Sequence, residues 1–180
     1  MRIIKLPKEI SIRCYVDEQP KTKASGESLA AEMADIEKNG YEILSAAIML
    51  EDRMIEAVSL ILFGSANDNS ENRSFFQNEI IGTSDFSFAF KRRVFTRLLE
   101  SKKLLSPEKV KVLKAGLNKL MEWRNAFAHG QIIHERNGGF VLRYYSGGYK
   151  EFVLDDEYFE KVELTIRDCL YSCNDIIQSQ

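Results

Sequence analysis

A chain of 180 residues is long enough for one domain with a real core, since proteins of this size bury roughly 70% of their unfolded surface. Hydrophobic residues at 44% and charged residues at 29% are ordinary globular values and exclude a disordered or fibrous chain. A net charge of −2 and a pI near 5.8 exclude a protein that coats duplex nucleic acid through an overall positive field. Any nucleic-acid contact has to come from a local patch.

The chain opens with Ile3, Ile4, Leu6, Ile10, Ile12, Tyr15 and Val16 in partial alternation, which predicts a short strand or two. With the polar stretch from Pro20 to Gly26, this makes residues 1–25 a β-rich extension and linker ahead of a helical bundle over residues 26–180. No apolar run there is long enough for a signal peptide, and none elsewhere reaches a membrane-spanning length, so the expected compartment is the cytoplasm. The odd count of three cysteines, Cys14, Cys169 and Cys173, agrees with reduced thiols. Cys169 and Cys173 share a helix face as small buried hydrophobes; no metal site is expected.

Ser25 or Ser28 is placed to cap a helix carrying Leu29, Met33 and Ile36, which Asn39-Gly40 is expected to interrupt. From Tyr41 to Phe63 the apolar positions Ile43, Ala47, Leu50, Met54, Ala57, Val58, Ile61 and Leu62 recur every three or four residues, the strongest helix signal in the chain. Gly64 is its C-cap. Residues 65–73 read as an exposed loop, and Phe75 to Ile81 as a short helix. Phe86 to Leu99 predicts another helix, with Phe90, Val94, Phe95, Leu98 and Leu99 inward and Lys91, Arg92, Arg93 and Arg97 outward. Ser106-Pro107-Glu108 starts the next, with Ser106 as N-cap and proline at the first helical position. That helix runs to His129, where Gly130 stops it.

Ile132-Ile133, Phe140 to Leu142 and Phe152 to Leu154 are short strands separated by Asn137-Gly138-Gly139 and Gly147-Gly148 turns. Asp155 to Ile177 is the closing helix. The fold class is all-α: a four- to five-helix bundle with a small β-hairpin insertion before the C-terminal helix.

On a wheel of 100° per residue with Leu113 at zero, Leu117 falls near ~40°, Leu120 near ~340°, Phe127 near ~320° and Arg124 near ~20°. A guanidinium in that apolar arc costs several kcal/mol unless it is paired, so Arg124 is expected either to meet a carboxylate inside the bundle or to open into a cleft. Glu51, Asp52 and Glu56 interrupt the long helix as candidate partners. Glu51 reads better as a solvated edge or a simple helix-surface pair with Arg53, while Asp52 and Glu56 remain candidate supporting acids. Asn125 and His129 fall near ~120° and ~160°, so His129 and Arg124 are about 140° apart and one helix need not aim both at one point.

The segment Arg124-Asn125-Ala126-Phe127-Ala128-His129 resembles the signature of the HEPN superfamily: arginine, a polar residue next, then histidine after four to six positions. The helical context is similar as well, with the motif ending a late bundle helix, glycine after it and one more helix to follow. Within the superfamily, Tyr41 to Phe63 followed by Phe86 to Lys91 also resembles, by pattern, the mannitol-operon repressor type.

The resemblance implies metal-independent RNA cleavage without a cofactor, by a homodimer whose two motifs face each other across a composite cleft. In it His129 would move protons, Arg124 would hold the phosphate, and Asn125 would position the phosphate or the imidazole. Such proteins include toxins and defence effectors held by an antitoxin-like or regulatory partner. The alternative implied is a non-catalytic protein-interaction module.

Lys91, Arg92, Arg93 and Arg97 form the dense basic stretch that could track an RNA backbone. His134, beside Glu135 and Arg136, reads as surface. No phosphate-binding glycine loop, metalloprotease His pair, CxxC pair or nucleophile elbow is present in the sequence.

Overall fold

The computed structural model describes residues 23–65, 69–135 and 139–180, so the expected N-terminal strands, Cys14 and, in the Asn137-Gly138-Gly139 turn, Asn137 and Gly138 lie outside the described residues. Five helices pack together, with a three-stranded antiparallel sheet inserted before the last. In chain order these are α1 (Lys23–Phe63), α2 (Ser70–Phe75, continued by a π-helical turn Phe76–Ile81), α3 (Phe88–Lys102), α4 (Pro107–His129), β1 (Gln131–Glu135), β2 (Gly139–Tyr145), β3 (Tyr149–Val153) and α5 (Asp156–Gln178).

The first helix departs from expectation. Asn39-Gly40 does not break it; α1 runs unbroken for 41 residues, about 60 Å at helical rise. It starts at Lys23, so Ser25 and Ser28 lie inside it rather than at its cap. The reason is tertiary. Gly40 faces α4 so closely that a Cβ there would sit 2.7 Å from Phe127 Cδ1, so glycine at this position permits the helix contact instead of ending the helix.

The two halves of α1 serve different cores. Ile43, Leu50, Met54 and Val58 join Phe95, Leu99, Leu117 and Leu120 in the main bundle core. Ile36, with Met33 beside it, joins Ala126, Phe140, Leu142, Tyr144 and Leu154 in a second cluster, where the end of α4 meets the sheet. Gly64 ends α1 as anticipated, with φ 73° and its N–H on the Leu60 carbonyl.

The stretch read as loop up to Arg73 is already helical from Ser70. Asn69 Nδ2 donates to the Phe63 carbonyl, Arg73 donates to the Gly64 carbonyl, and Phe76 packs against Phe63 at 5.4 Å, so the segment folds back onto the end of α1. Ser87, Ser106 and Asp155 cap α3, α4 and α5 by accepting from the N–H three residues on, each cap contributing about 1 kcal/mol.

The sheet order is β1-β2-β3, with Ile132 opposite Leu142 and Leu142 opposite Phe152. The three expected strands thus form one antiparallel sheet, two hairpins sharing β2. Cys169 and Cys173 are buried free thiols on α5, and burial pushes both pKa values up to about 12. Cys169 fits because Gly116 on α4 leaves room: a Cβ there would be 2.6 Å from its Sγ. Among the described residues no helix is long and apolar enough to cross a membrane.

Candidate functional site

The end of α4 is clamped from two sides. Trp123 and Ala126 are buried, and Trp123 meets Tyr158 of α5 edge-on at 6.2 Å. Gly130 closes the helix for a steric reason. Its φ of −87° is open to any residue, but a Cβ would lie 2.4 Å from the Ala126 carbonyl oxygen and 2.8 Å from that of Arg143. The strand backbone therefore rests directly against the helix end and holds His129 at a defined place.

Arg124 does not enter the core. It is exposed, as are Ala128 and His129, while Asn125 is half-buried. The physical cause lies in the spacing of the buried stripe. Leu117, Leu120, Trp123 and Ala126 follow at intervals of three, and each such step turns the buried direction back by ~60°. By the last two turns the inward direction has moved to Trp123 and Ala126, toward the sheet, and Arg124 is left on the outer side. There Arg124, Ala128, Asn125 and His129 occupy one outward arc about 140° wide. Arg124 donates to Asn125 Oδ1 at 3.0 Å. Among the described residues no carboxylate pairs with Arg124.

The acids of α1 are engaged elsewhere or point to solvent. Glu56 pairs with Arg53 at 2.8 Å, and Asp52 is exposed beside Gln77 and Asn78. Glu51, read as a solvated edge, instead accepts from Lys91 at 2.5 Å. Lys91 is only 3% exposed, which removes it from the outward basic set. It lies on the seam Lys91, Phe95, Leu99, four residues apart, and that spacing was the available signal.

Of the other cations on α3, Arg93 and Arg97 are exposed and Arg92 is half-buried, its pKa lowered by burial. They line an open groove of about 710 Å³ together with Phe86, Phe90 and Lys114 of α4. Phe86 and Phe90 stack at 4.6 Å, and the Arg93 guanidinium carbon sits 5.3 Å from the Phe90 ring centroid. Lys114 is far from the α3 cations in sequence and joins them only through the packing of α3 on α4; the wheel places it near ~100°, outward. His134, expected at the surface, is half-buried edge-on to Phe140 at 4.9 Å.

Compared with protein-family models, curated proteins and solved structures, the chain gives no significant match. The chemistry of the site therefore rests on its residues. Arginine carries a permanent charge and two parallel donors suited to a phosphate, and histidine titrates near neutral pH. Among the described residues no three His, Cys, Asp or Glu gather as metal ligands.

Proposed function

We propose that this protein is a metal-independent endoribonuclease of HEPN type, acting as a homodimer. The observation that carries the reading is the exposed arc at the end of α4. Arg124, Asn125 and His129 face outward together from a backbone clamped by Trp123, Ala126 and Gly130. No structural role in the described fold consumes these side chains.

In the proposed reaction the ribose 2′-oxygen attacks the adjacent phosphorus, the bond from phosphorus to the 5′-oxygen breaks, and a 2′,3′-cyclic phosphate and a 5′-hydroxyl result. His129 transfers protons, taking the one on the 2′-hydroxyl or supplying one to the leaving 5′-oxygen. Arg124 holds the phosphate as charge builds on its oxygens. Asn125, already bonded to Arg124, keeps the guanidinium oriented. One copy presents this arc as an open surface. A two-fold partner placing its own arc opposite would make a cleft and supply a second histidine for the other proton. Toxin or defence-effector biology, with an antitoxin-like partner, follows if cleavage is unrestrained in the host.

A second reading, a non-catalytic regulatory module, is favoured by the groove between α1 and α5. Ile43, Met49, Phe159, Ile166 and the exposed Tyr171 line it. The deciding experiment incubates purified protein with end-labelled total RNA, with and without chelator, and examines the product ends. Cyclic phosphate termini and indifference to chelator are expected. Intact RNA across varied substrates leaves the regulatory module as the account.

A further inference from the structure

The α3–α4 groove has a charge problem that its own residues do not solve. Arg92, Arg93 and Arg97 from α3 and Lys114 from α4 converge on it. Among the described residues none of the four forms an ion pair. Asp85 is the acid in the lining, and it bonds to none of them. Arg92 is half-buried, so its charge is held partly out of water. Like charges gathered in one concavity repel, and an anion seated there would relieve the repulsion. The groove also offers flat apolar surface, since Phe86 and Phe90 are stacked and Arg93 lies over the Phe90 ring.

We infer that the α3–α4 groove binds a single-stranded nucleic-acid segment, its phosphates on Arg92, Arg93, Arg97 and Lys114 and an unpaired base stacked on the Phe86–Phe90 pair. Cations alone would also suit an acidic peptide. The stacked aromatic pair beside them favours nucleic acid, because every base has a flat face and unpaired bases are free to stack. A duplex hides those faces, which selects the single strand. Lys114 lies on the same outward side of α4 as Arg124 and His129, about 15 Å along the helix from Arg124. A strand in the groove is thereby directed toward the cleavage arc. Binding stands without cleavage; only this delivery role rests on the ribonuclease reading.

The test is fluorescence anisotropy on the full-length His129→Ala protein, which keeps the probe intact, with a labelled single-stranded RNA of mixed sequence across a salt series. The same RNA as a duplex and a labelled poly-glutamate peptide are the comparison probes. The Arg93→Gln/Arg97→Gln double variant changes two exposed side chains, and its fold is checked by thermal melt. It is expected to bind about ten-fold or more weakly, with a log–log salt slope shallower by about 1.4, because each phosphate contact on a single strand contributes about 0.7. Phe90→Leu is expected to weaken the single strand roughly ten-fold while leaving the salt slope in place.

Unchanged affinity and slope in the double variant would overturn the assignment. So would poly-glutamate bound as tightly as RNA, or no RNA binding at low salt. Wild type that binds through the groove but leaves RNA uncut overturns the ribonuclease reading alone. Wild type that cuts while its affinity ignores the groove variants overturns the groove alone.

Discussion

At the junction of α4 and the sheet, the Glu122 carboxylate accepts from Lys150 at 2.5 Å and from the Tyr144 hydroxyl at 3.0 Å. The Lys150 bond is the main reason its pKa is lowered, with partial burial opposing and Tyr144 adding. A carboxylate whose folded pKa lies below its unfolded one contributes stability above the unfolded value and loses it as pH falls through the folded one. The contribution is modest because the group is about one-third exposed and screened by solvent. Glu122→Gln removes this titration. The melting temperature of wild type is therefore expected to exceed that of Glu122→Gln at neutral pH, and the gap to close as pH drops below the ordinary carboxylate range. A gap that stays constant from neutral to acid would contradict the assignment.

Nearby, the Tyr158 hydroxyl is buried with no partner among the described residues, and burial pushes its pKa well up. Exposure of Arg124 has a practical consequence at the same scale: its removal takes away charge without opening the core, so Arg124→Ala reports on function rather than on folding.

Among the elements, α1 is the one whose behaviour most depends on its neighbour. Alanine in place of a mid-helix glycine ordinarily stabilises by about 1 kcal/mol. At position 40 the added Cβ would press on the Phe127 ring at 2.7 Å, and overpacking of this kind costs about 1–3 kcal/mol. Gly40→Ala is expected to lower the melting temperature by about 2–4 °C, the usual response of a chain this long to a net loss near 1 kcal/mol. Gly40→Ala combined with Phe127→Leu should recover part of it. A higher melting temperature for Gly40→Ala alone would show that α1 and α4 are not held in contact there.

This pair also marks what could be read from residues and what could not. Ser106-Pro107, Gly64 and the strand-forming runs around Gly147-Gly148 act locally, so the elements they bound were legible. Gly40 carried the opposite meaning because its role is set by Phe127, 87 positions away in sequence. Arg124 was misplaced for a related reason. A wheel anchored at Leu113 assumes a fixed inward direction, whereas the three-residue spacing through Trp123 and Ala126 turns that direction toward the sheet. The motif itself was visible as a string of residues; that it faces solvent was not. The α3–α4 groove needed both helices at once, and Lys91 had to be separated from its basic neighbours by a seam position that its charge disguised.

For the whole molecule, the long α1 ties the bundle to the sheet, and the sheet fixes the end of α4 through Gly130. The candidate site is thus an outer edge of one copy, and the proposed two-fold dimer would set a second such edge against it. The central claim is that His129 at this edge transfers protons in RNA cleavage, and the most direct measurement compares wild type with His129→Ala on the same end-labelled RNA, each checked by thermal melt. Because His129 is exposed, the variant is expected to melt with wild type. Its cleavage rate is expected to fall by about 10² or more, the scale of a positioned acid–base group. A correctly folded His129→Ala protein that cuts as fast as wild type would contradict the account.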